Sequence, residues 1–196
     1  MSRKEQITEK AADLFAEKGF DGVTTKEIAA SCEISEAALY KYFDSKDELY
    51  DQVLKSIISS YDPSACFTSL VSETDISKIL QTIAHNIIDL YKKDNRTPRL
   101  LLYSSLNTHP RAKQVFISVR VPYVKFLANK LKELIKNDLI RKIEPDITAR
   151  CFVGMVFDCS LNLNLWKGMS GKVYSPESIV ANNVGIYSDG LRPKAD

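Results

Sequence analysis

Three helix-start signals lie within the first 48 residues of the chain. Each is a serine or threonine followed three residues later by a glutamate. This is the spacing of a capping box, in which the two side chains satisfy unpaired backbone N–H groups at a helix start. The pairs are Ser2 with Glu5, Thr24 with Glu27, and Ser45 with Glu48. Apolar residues then recur with a helical period along the whole chain, and no stretch alternates as a strand would. The sequence therefore predicts an all-α protein that begins with short, sharply bounded helices.

The composition narrows the class of protein. The chain has 196 residues, of which 44% are hydrophobic and 27% are charged, as in a globular protein. No run of about 20 apolar residues occurs and the first residues are charged, so we expect a cytoplasmic protein without a membrane span or secretory signal. The cysteines and histidines are scattered: Cys32, Cys66, Cys151, Cys159, His85 and His109. Because they match no metal or catalytic spacing and no phosphate-binding glycine loop occurs, we expect no metal, no cofactor and no enzyme activity.

Residues 25–43 have the dimensions of a helix-turn-helix, two short helices joined by a tight turn. The apolar residues that would fix the two helices against each other are Ile28, Ala29, Ile34, Leu39 and Phe43. Small or polar residues begin the second helix, where the backbone must approach the base edges of DNA. From spacing alone, a helical hairpin with a merely polar surface is the other interpretation, since such hairpins are common.

The same residues resemble a known family. The segments T-T-K-E-I-A at 24–29, I-S at 34–35 and L-Y-K-Y-F-D-S-K-D-E-L at 39–49 are similar to the signature of tetracycline-repressor (TetR) family regulators. The similarity covers roughly residues 5–54. It implies a three-helix DNA-binding domain at residues 1–46, with a linking helix at about 46–61. It also implies a larger helical effector-binding and dimerisation domain at residues 62–196.

The resemblance assigns roles to ten residues of the hairpin. Phosphate contacts are expected from Thr25, Lys26, Tyr40 and Lys46, and contacts in the major groove from Ser35, Glu36, Ala37, Ala38 and Lys41. Tyr42 is either a phosphate contact or a packing residue. Glu36 has two interpretations of equal standing, an acceptor for cytosine N4 or a surface carboxylate favoured by the helix dipole.

Two features disagree with this assignment. Glu33 and Ala37 stand where the family usually or often has glycine, and Glu33 would place a side chain in a left-handed backbone conformation. Residues 1–60 hold 8 Lys and Arg against 12 Asp and Glu, whereas a DNA-binding surface usually carries a positive excess.

The C-terminal segment carries weaker signals. Aromatic and polar residues within its apolar helices are candidates for a ligand pocket: Tyr103, His109, Phe116, Arg120, Tyr123, Phe126, Asp158, Asn162 and Trp166. Arg120 and His109 are expected either to hold an acidic ligand or to form a salt bridge or cap. Asp158 and Asn162 either orient a ligand or bond across a dimer. Small and apolar residues of the last two helices predict a dimer interface: Ala149, Val153, Gly154, Val156, Val180, Ala181, Val184 and Gly185.

These observations predict a dimeric transcriptional regulator, a repressor that a small-molecule ligand releases from double-stranded operator DNA. A helical binding or scaffold protein that retained the hairpin but lost DNA binding is the main alternative. Glu33 and the acidic N-terminal segment support that alternative. An enzyme ranks third, because it needs a catalytic group of residues that the sequence does not display.

Overall fold

The computed structural model describes residues 1–106, 112–165 and 174–193, and within them the chain forms ten helices and no strand. In chain order the helices are α1 Arg3–Lys18, α2 Thr25–Ser31, α3 Glu36–Leu39, α4 Lys46–Ser60, α5 Ser64–Ser69, α6 Ile76–Lys93, α7 Arg96–Leu106, α8 Ala112–Lys136, α9 Pro145–Asn164 and α10 Pro176–Leu191. The predicted all-α fold is confirmed. None of the described helices combines the length and apolar character needed to cross a bilayer.

Two of the three predicted capping boxes form completely. At α1 and α2 the hydroxyl accepts from the backbone of the glutamate, and the glutamate accepts from the backbone of the capping residue. At α4 only half of the box forms, because the Glu48 carboxylate accepts from the N–H of Asp44, at 2.6 Å, instead of that of Ser45. The sequence spacing therefore located the three helix starts correctly and mispredicted one partner.

Tertiary contacts divide the chain into two compact units. Unit 1 comprises Met1–Tyr61 with the described residues of Asp94–Val119, and unit 2 comprises Asp62–Lys93 with the described residues from Arg120 onward. This division groups α7 with the N-terminal helices, whereas the sequence predicted it as part of the effector-binding domain. The functional boundary at residue 62 stays a prediction.

The core of unit 1 holds the helical hairpin in place. Phe15 is fully buried, and its ring centroid lies 4.9 Å from that of Tyr50 and 6.0 Å from that of Phe20. Leu39 and Phe43 are each 2% exposed. Buried aromatic pairs of this kind contribute packing energy beyond the area that they bury. The hairpin packs on α1 through α2, and α1 in turn packs on α4.

An ion-pair cluster attaches α7 to α1 within unit 1. The Arg96 guanidinium lies 2.9 Å from the Glu9 carboxylate, 3.1 Å from that of Asp13 and 2.7 Å from that of Asp94. Asp94 also accepts the backbone N–H of Arg96 at 2.9 Å, and Arg96 is the first residue of α7.

Unit 2 is built around α6. Its apolar stripe is fully buried, with Ile79, Ile83 and Ile87 each 0% exposed, and α9 and α10 both pack on it. The helical period of this stripe is what the sequence displayed. Buried residues of α8, including Leu127 and Leu131, belong to the same core.

The second capping box predicts an acid-sensitive contribution to stability. The pKa of Glu27 is lowered from its ordinary 4.5 to about 2 by a hydrogen bond from Lys18, then by those from the backbone and hydroxyl of Thr24. Since the folded pKa is lower than the unfolded pKa, this stabilisation is present above about pH 4.5 and is lost as the pH falls toward 2. We expect Glu27→Gln to lose less stability between pH 5 and pH 3 than the parent chain. Urea unfolding at both pH values measures this, and parallel losses would contradict it.

Candidate nucleic-acid interface

The hairpin of α2 and α3 presents the predicted DNA-binding residues on one exposed stretch of unit 1. The backbone N–H groups of Cys32 and Ile34 both donate to the carbonyl of Ala29, at 3.1 and 3.0 Å, and this closes the turn between the helices. Seven of the ten predicted residues are exposed: Lys26, Ser35, Glu36, Ala37, Tyr40, Lys41 and Tyr42. Thr25, Ala38 and Lys46 are half-buried. These ten residues are therefore placed where a large external partner can reach most of them.

The second helix of the hairpin is shorter than the sequence suggested. Ser35 caps α3 by accepting from the N–H of Ala38 at 3.1 Å, and the α-helix ends at Leu39. The chain then continues in turns, with the N–H groups of Tyr42 and Phe43 donating to the Leu39 carbonyl. Tyr40 and Tyr42 remain 48% and 38% exposed, so both phenol rings are available to a partner.

Thr25 and Glu36 contact each other across the hairpin. The Thr25 hydroxyl donates to Oε1 of the Glu36 carboxylate. The sequence had placed Thr25 against a phosphate and Glu36 in the major groove. The contact joins the first residue of α2 to the first residue of α3, and so fixes one predicted DNA-contact residue relative to another.

Lys46 has a structural role that the sequence did not reveal. Its ammonium donates to the carbonyls of Phe20 and Val23, at 3.1 and 3.0 Å, and lies 4.2 Å from the centre of the Phe20 ring. A lysine has three hydrogens to donate, so one remains for a phosphate. The observed hydrogen bonds connect α4 to the segment that precedes α2. The phosphate contact of Lys46 stays a prediction.

Arg3 and Glu33 shape the turn between α2 and α3. The Arg3 guanidinium donates to the Cys32 carbonyl at 2.7 Å, a contact absent from the sequence-based prediction. Glu33 adopts φ 55°, the left-handed conformation that its position required. A non-glycine residue in this conformation costs about 1–2 kcal/mol, so the turn carries strain.

The predicted ligand-binding residues fall into both units. Tyr103 lies in unit 1, where its ring packs on Gly19: a Cβ at Gly19 would lie 3.0 Å from Cδ1 of Tyr103. Gly19 has φ 72°, so close approach and conformation both require glycine there. The Tyr103 hydroxyl donates to the Glu17 carbonyl at 3.4 Å. These contacts make Tyr103 part of the packing between α7 and α1.

Unit 2 brings Arg120 together with an aromatic group that the sequence had not singled out. The Arg120 guanidinium lies 4.9 Å from the ring centre of Phe157, whose ring is 5.7 Å from that of Tyr91. Burial lowers the pKa of Arg120, while the nearby Tyr91 and Asp158 oppose that shift. The guanidinium also passes close to Gly154, where a Cβ would make an ordinary van der Waals contact of 3.5 Å with its Nη2. A half-buried guanidinium that packs on an aromatic ring is chemically suited to bind an anionic group.

Two other predicted aromatic residues are core residues of unit 2. Tyr123 is 1% exposed and donates from its hydroxyl to Asn86 at 2.6 Å, and burial raises its pKa. Phe126 stacks on Phe67 with ring centres 4.4 Å apart. Because these contacts are already satisfied within unit 2, packing accounts for both residues, and their ligand contact stays a prediction.

The remaining candidates are exposed or not described. Asp158 and Asn162 are exposed and bond to each other, with the Asn162 amide 3.2 Å from the Asp158 carboxylate. His109 and Trp166 lie outside the described residues, and so does the side chain of Phe116. Within the part of the chain that is described, no group of three or more His, Cys, Asp or Glu side chains is arranged to hold a metal ion.

Comparison with known proteins identifies the hairpin domain. Residues 7–53 match the family described as "Bacterial regulatory proteins, tetR family". This match makes the N-terminal segment of the chain similar to the TetR family. The matched segment contains α2, α3 and the interface residues described above.

Two curated relatives and one solved structure illustrate the similarity. The Staphylococcus aureus biofilm operon icaADBC HTH-type negative transcriptional regulator IcaR is 33% identical over 90 residues, 46% of this chain and 48% of that protein. The nucleoid occlusion factor SlmA of Haemophilus influenzae is 28% identical over 137 residues, 67% of this chain and 62% of that protein. The chain thus spans about half the length of IcaR. These relatives are named as a regulator and an occlusion factor, not as enzymes.

The structural neighbour covers nearly the whole chain. The crystal structure of AibR in complex with isovaleryl coenzyme A and operator DNA has a TM-score of 0.72 and 22% identity, and the match covers 94% of this chain and 97% of that one. At this identity the likeness establishes a shared fold. It extends the similarity beyond residue 53 into unit 2.

The strained turn between α2 and α3 gives a prediction for Glu33. We expect Glu33→Gly to raise the free energy of unfolding by about 1 kcal/mol, because glycine removes the left-handed penalty but loses more chain entropy on folding. Urea unfolding measures the gain. Glu33→Gln is the matched control, since it removes the charge and keeps the Cβ. Equal stabilities of the two variants would show that the turn is not strained.

Proposed function

We propose that the chain is a dimeric transcriptional repressor that binds operator DNA through α2 and α3 and is released by a small-molecule effector. The observation that carries this proposal is the exposed set of hairpin residues inside the segment that matches the TetR family. Lys26, Tyr40, Tyr42 and Lys46 would contact phosphates, and the start of α3 with Lys41 would enter the major groove. With chromosomal DNA as its partner, the protein would act in the cytoplasm.

The dimer is supported by the outward faces of α9 and α10. Most apolar residues that the sequence had assigned to the interface are buried inside unit 2: Ala149, Val153, Val156, Val180 and Val184. The opposite faces remain open, with Ile147 and Ile186 each 63% exposed and Cys151 and Ala181 also exposed. A second copy of the chain covering these faces would bury them. Two hairpins about one turn of DNA apart would then match a palindromic operator.

Ile186 tests the dimer. We expect Ile186→Asp to convert the dimer to a monomer, because the interface would have to bury an unpaired charge. Light scattering coupled to size-exclusion chromatography measures the mass. Val71→Asp is the control, since Val71 is 65% exposed on unit 2 but follows α5. A monomeric parent chain, or two variants with equal mass, would contradict this interface.

The effector is proposed to carry an acidic group. The half-buried Arg120 on Phe157 supports this proposal, since a partly desolvated guanidinium binds carboxylate or phosphate strongly. AibR, which shares the fold, is bound to isovaleryl coenzyme A in its crystal structure. A ligand that favours one separation of the two hairpins over another would shift the population away from the DNA-binding form.

A scaffold protein that lost DNA binding is the second candidate. The excess of acidic over basic residues at 1–60 favours it, because like charge repels phosphates. The Thr25–Glu36 contact also leaves a carboxylate at the front of the hairpin.

Fluorescence anisotropy of labelled DNA separates these candidates. The DNA beside the chain's own gene is titrated with the full chain at 50 and 200 mM salt, with shuffled DNA of equal length as the control. With Lys26 and Lys46 of each of two subunits on phosphates, affinity for the operator should fall about a hundredfold between the two salts. If this DNA gives only weak binding, selection from genomic fragments is the second measurement. No fragment bound above the shuffled control would favour the scaffold protein.

A further inference from the structure

We infer that Glu36, held in place by Thr25, selects a cytosine in each half of the operator, an inference that rests on the DNA-binding function proposed above. Glu36 is the first residue of α3 and is exposed, and it is followed by the small side chain of Ala37. The backbone at this position can therefore come close to a base edge, with the carboxylate in front.

The chemistry of a carboxylate limits what Glu36 can contact. An ionised carboxylate only accepts hydrogen bonds, and it is repelled by phosphate oxygens. The described residues provide it with no cation partner, and its hydrogen bond comes from Thr25. In the major groove only cytosine N4 and adenine N6 donate, whereas guanine and thymine present acceptors at the corresponding edge. A base amino group is therefore the partner that satisfies Glu36 in a complex with DNA.

The arrangement around the amino group favours cytosine over adenine. Adenine N6 lies beside the N7 acceptor of the same base. A carboxylate that accepts from N6 would be repelled by the lone pair of N7. On the major-groove edge, cytosine N4 has one neighbouring acceptor, the O6 of its paired guanine, whereas adenine N6 lies between its own N7 and the O4 of the paired thymine. A single carboxylate that is already held by one oxygen is thus better matched to cytosine.

Thr25 acts through Glu36. A threonine hydroxyl has one hydrogen, and here it is donated to Oε1 of Glu36, which leaves Oε2 for the base. The carboxylate is already ordered in the free protein. Less side-chain conformational entropy is therefore lost when DNA binds. Thr25 is then a positioning residue, and a hydroxyl contact to phosphate would require this bond to break.

Selection from randomised DNA with the full chain tests the inference. The base preference of each half-site position is measured for the parent chain and for Glu36→Ala, Thr25→Val and Glu33→Gln. The last is the matched control, because it removes a nearby exposed glutamate charge without a proposed base contact. We expect one position where cytosine is preferred about tenfold. Glu36→Ala should reduce that preference to below about twofold, Thr25→Val to about threefold, and Glu33→Gln should leave it intact.

Each outcome has a distinct meaning. An unchanged preference at every position in Glu36→Ala overturns the inference while the DNA-binding function stands. A uniform loss of affinity over all sequences in Thr25→Val, with the cytosine preference kept, overturns its positioning role and restores the phosphate contact. If the parent chain selects no sequence, the proposed function fails and the inference fails with it. Circular dichroism melts of the variants confirm that each is folded.

Discussion

Arg96→Ala is expected to lower the free energy of unfolding by about 2 kcal/mol, because it leaves three carboxylates without their shared cation. The Arg96 side chain is 23% exposed and contacts Glu9, Asp13 and Asp94 at 2.7–3.1 Å. Glu9 and Asp13 are four residues apart on α1, where like charges repel. If the Arg96 ion pairs were fully buried, the loss in unfolding free energy would be larger. Because the cluster is partly exposed to water, we expect the loss to stay at about 2 kcal/mol.

The pH dependence of this cluster follows from Asp94. Burial alone would raise the pKa of Asp94, but the hydrogen bonds from Arg96 outweigh it, and the pKa is lowered. A lowered pKa means that the Arg96–Asp94 contribution is present above the ordinary pKa of an aspartate and is lost below it. The difference in stability between the parent chain and Arg96→Ala should therefore shrink in acid.

Arg99→Ala provides the matched control for Arg96. Arg99 lies on the same helix and is exposed, so its removal should change the free energy of unfolding by less than about 0.5 kcal/mol. Urea unfolding of both variants at neutral pH measures the difference. If Arg96→Ala were no less stable than Arg99→Ala, the cluster would contribute nothing to unit 1.

Lys46→Met is expected to affect both stability and DNA affinity. It removes two hydrogen bonds from a charged donor, to the carbonyls of Phe20 and Val23. Because both carbonyls are only partly buried and water can replace the lost donor, we expect a loss of about 1.5 kcal/mol in unfolding free energy. If the third hydrogen reaches a phosphate, two sites per dimer also lower the slope of log affinity against log salt by about 2.

Lys55→Met separates the two effects of Lys46. Lys55 is exposed on the same helix, α4, and has no predicted DNA contact. Affinity titrations are made at a temperature where urea unfolding shows both variants to be folded. If Lys46→Met leaves the slope of log affinity against log salt unchanged, the predicted phosphate contact is wrong. If Lys46→Met and Lys55→Met have equal free energies of unfolding, the hydrogen bonds of Lys46 to Phe20 and Val23 do not stabilise the fold.

Local features of this chain could be predicted from its sequence. Helix starts at Ser2, Thr24 and Ser45 depend on residues three positions apart, so the spacing was sufficient. The left-handed backbone at Glu33 followed from comparison with a family that has glycine there. Such features need only neighbouring residues and a known backbone conformation.

Long-range contacts could not be predicted in the same way. Arg96 finds Glu9 and Asp13 more than 80 positions away, and Lys46 finds Phe20 at a separation of 26. No periodicity in the sequence encodes such pairs, since many lysines and arginines are equally close to acidic residues along the chain.

The interface prediction for the last two helices shows a related limit. A helical period identifies which residues share a face, but not which neighbour covers that face. In α9 the more apolar face, with Ala149, Val153 and Val156, packs inside unit 2. The face left for a partner carries Ile147 and Cys151 among polar residues.

In α3 the buried residue and the exposed residues are different ones, and this has an evolutionary consequence. Leu39 alone of its four residues is buried, whereas Glu36 and Ala37 are exposed and Ala38 is half-buried. Substitutions at the exposed positions leave the core untouched, and exposed sites usually change stability by less than about 0.5 kcal/mol. If α3 reads bases as proposed, descendants of this chain can acquire new target sequences one base at a time without first gaining stability. A duplicated gene could diverge into a second regulatory circuit by way of these few codons.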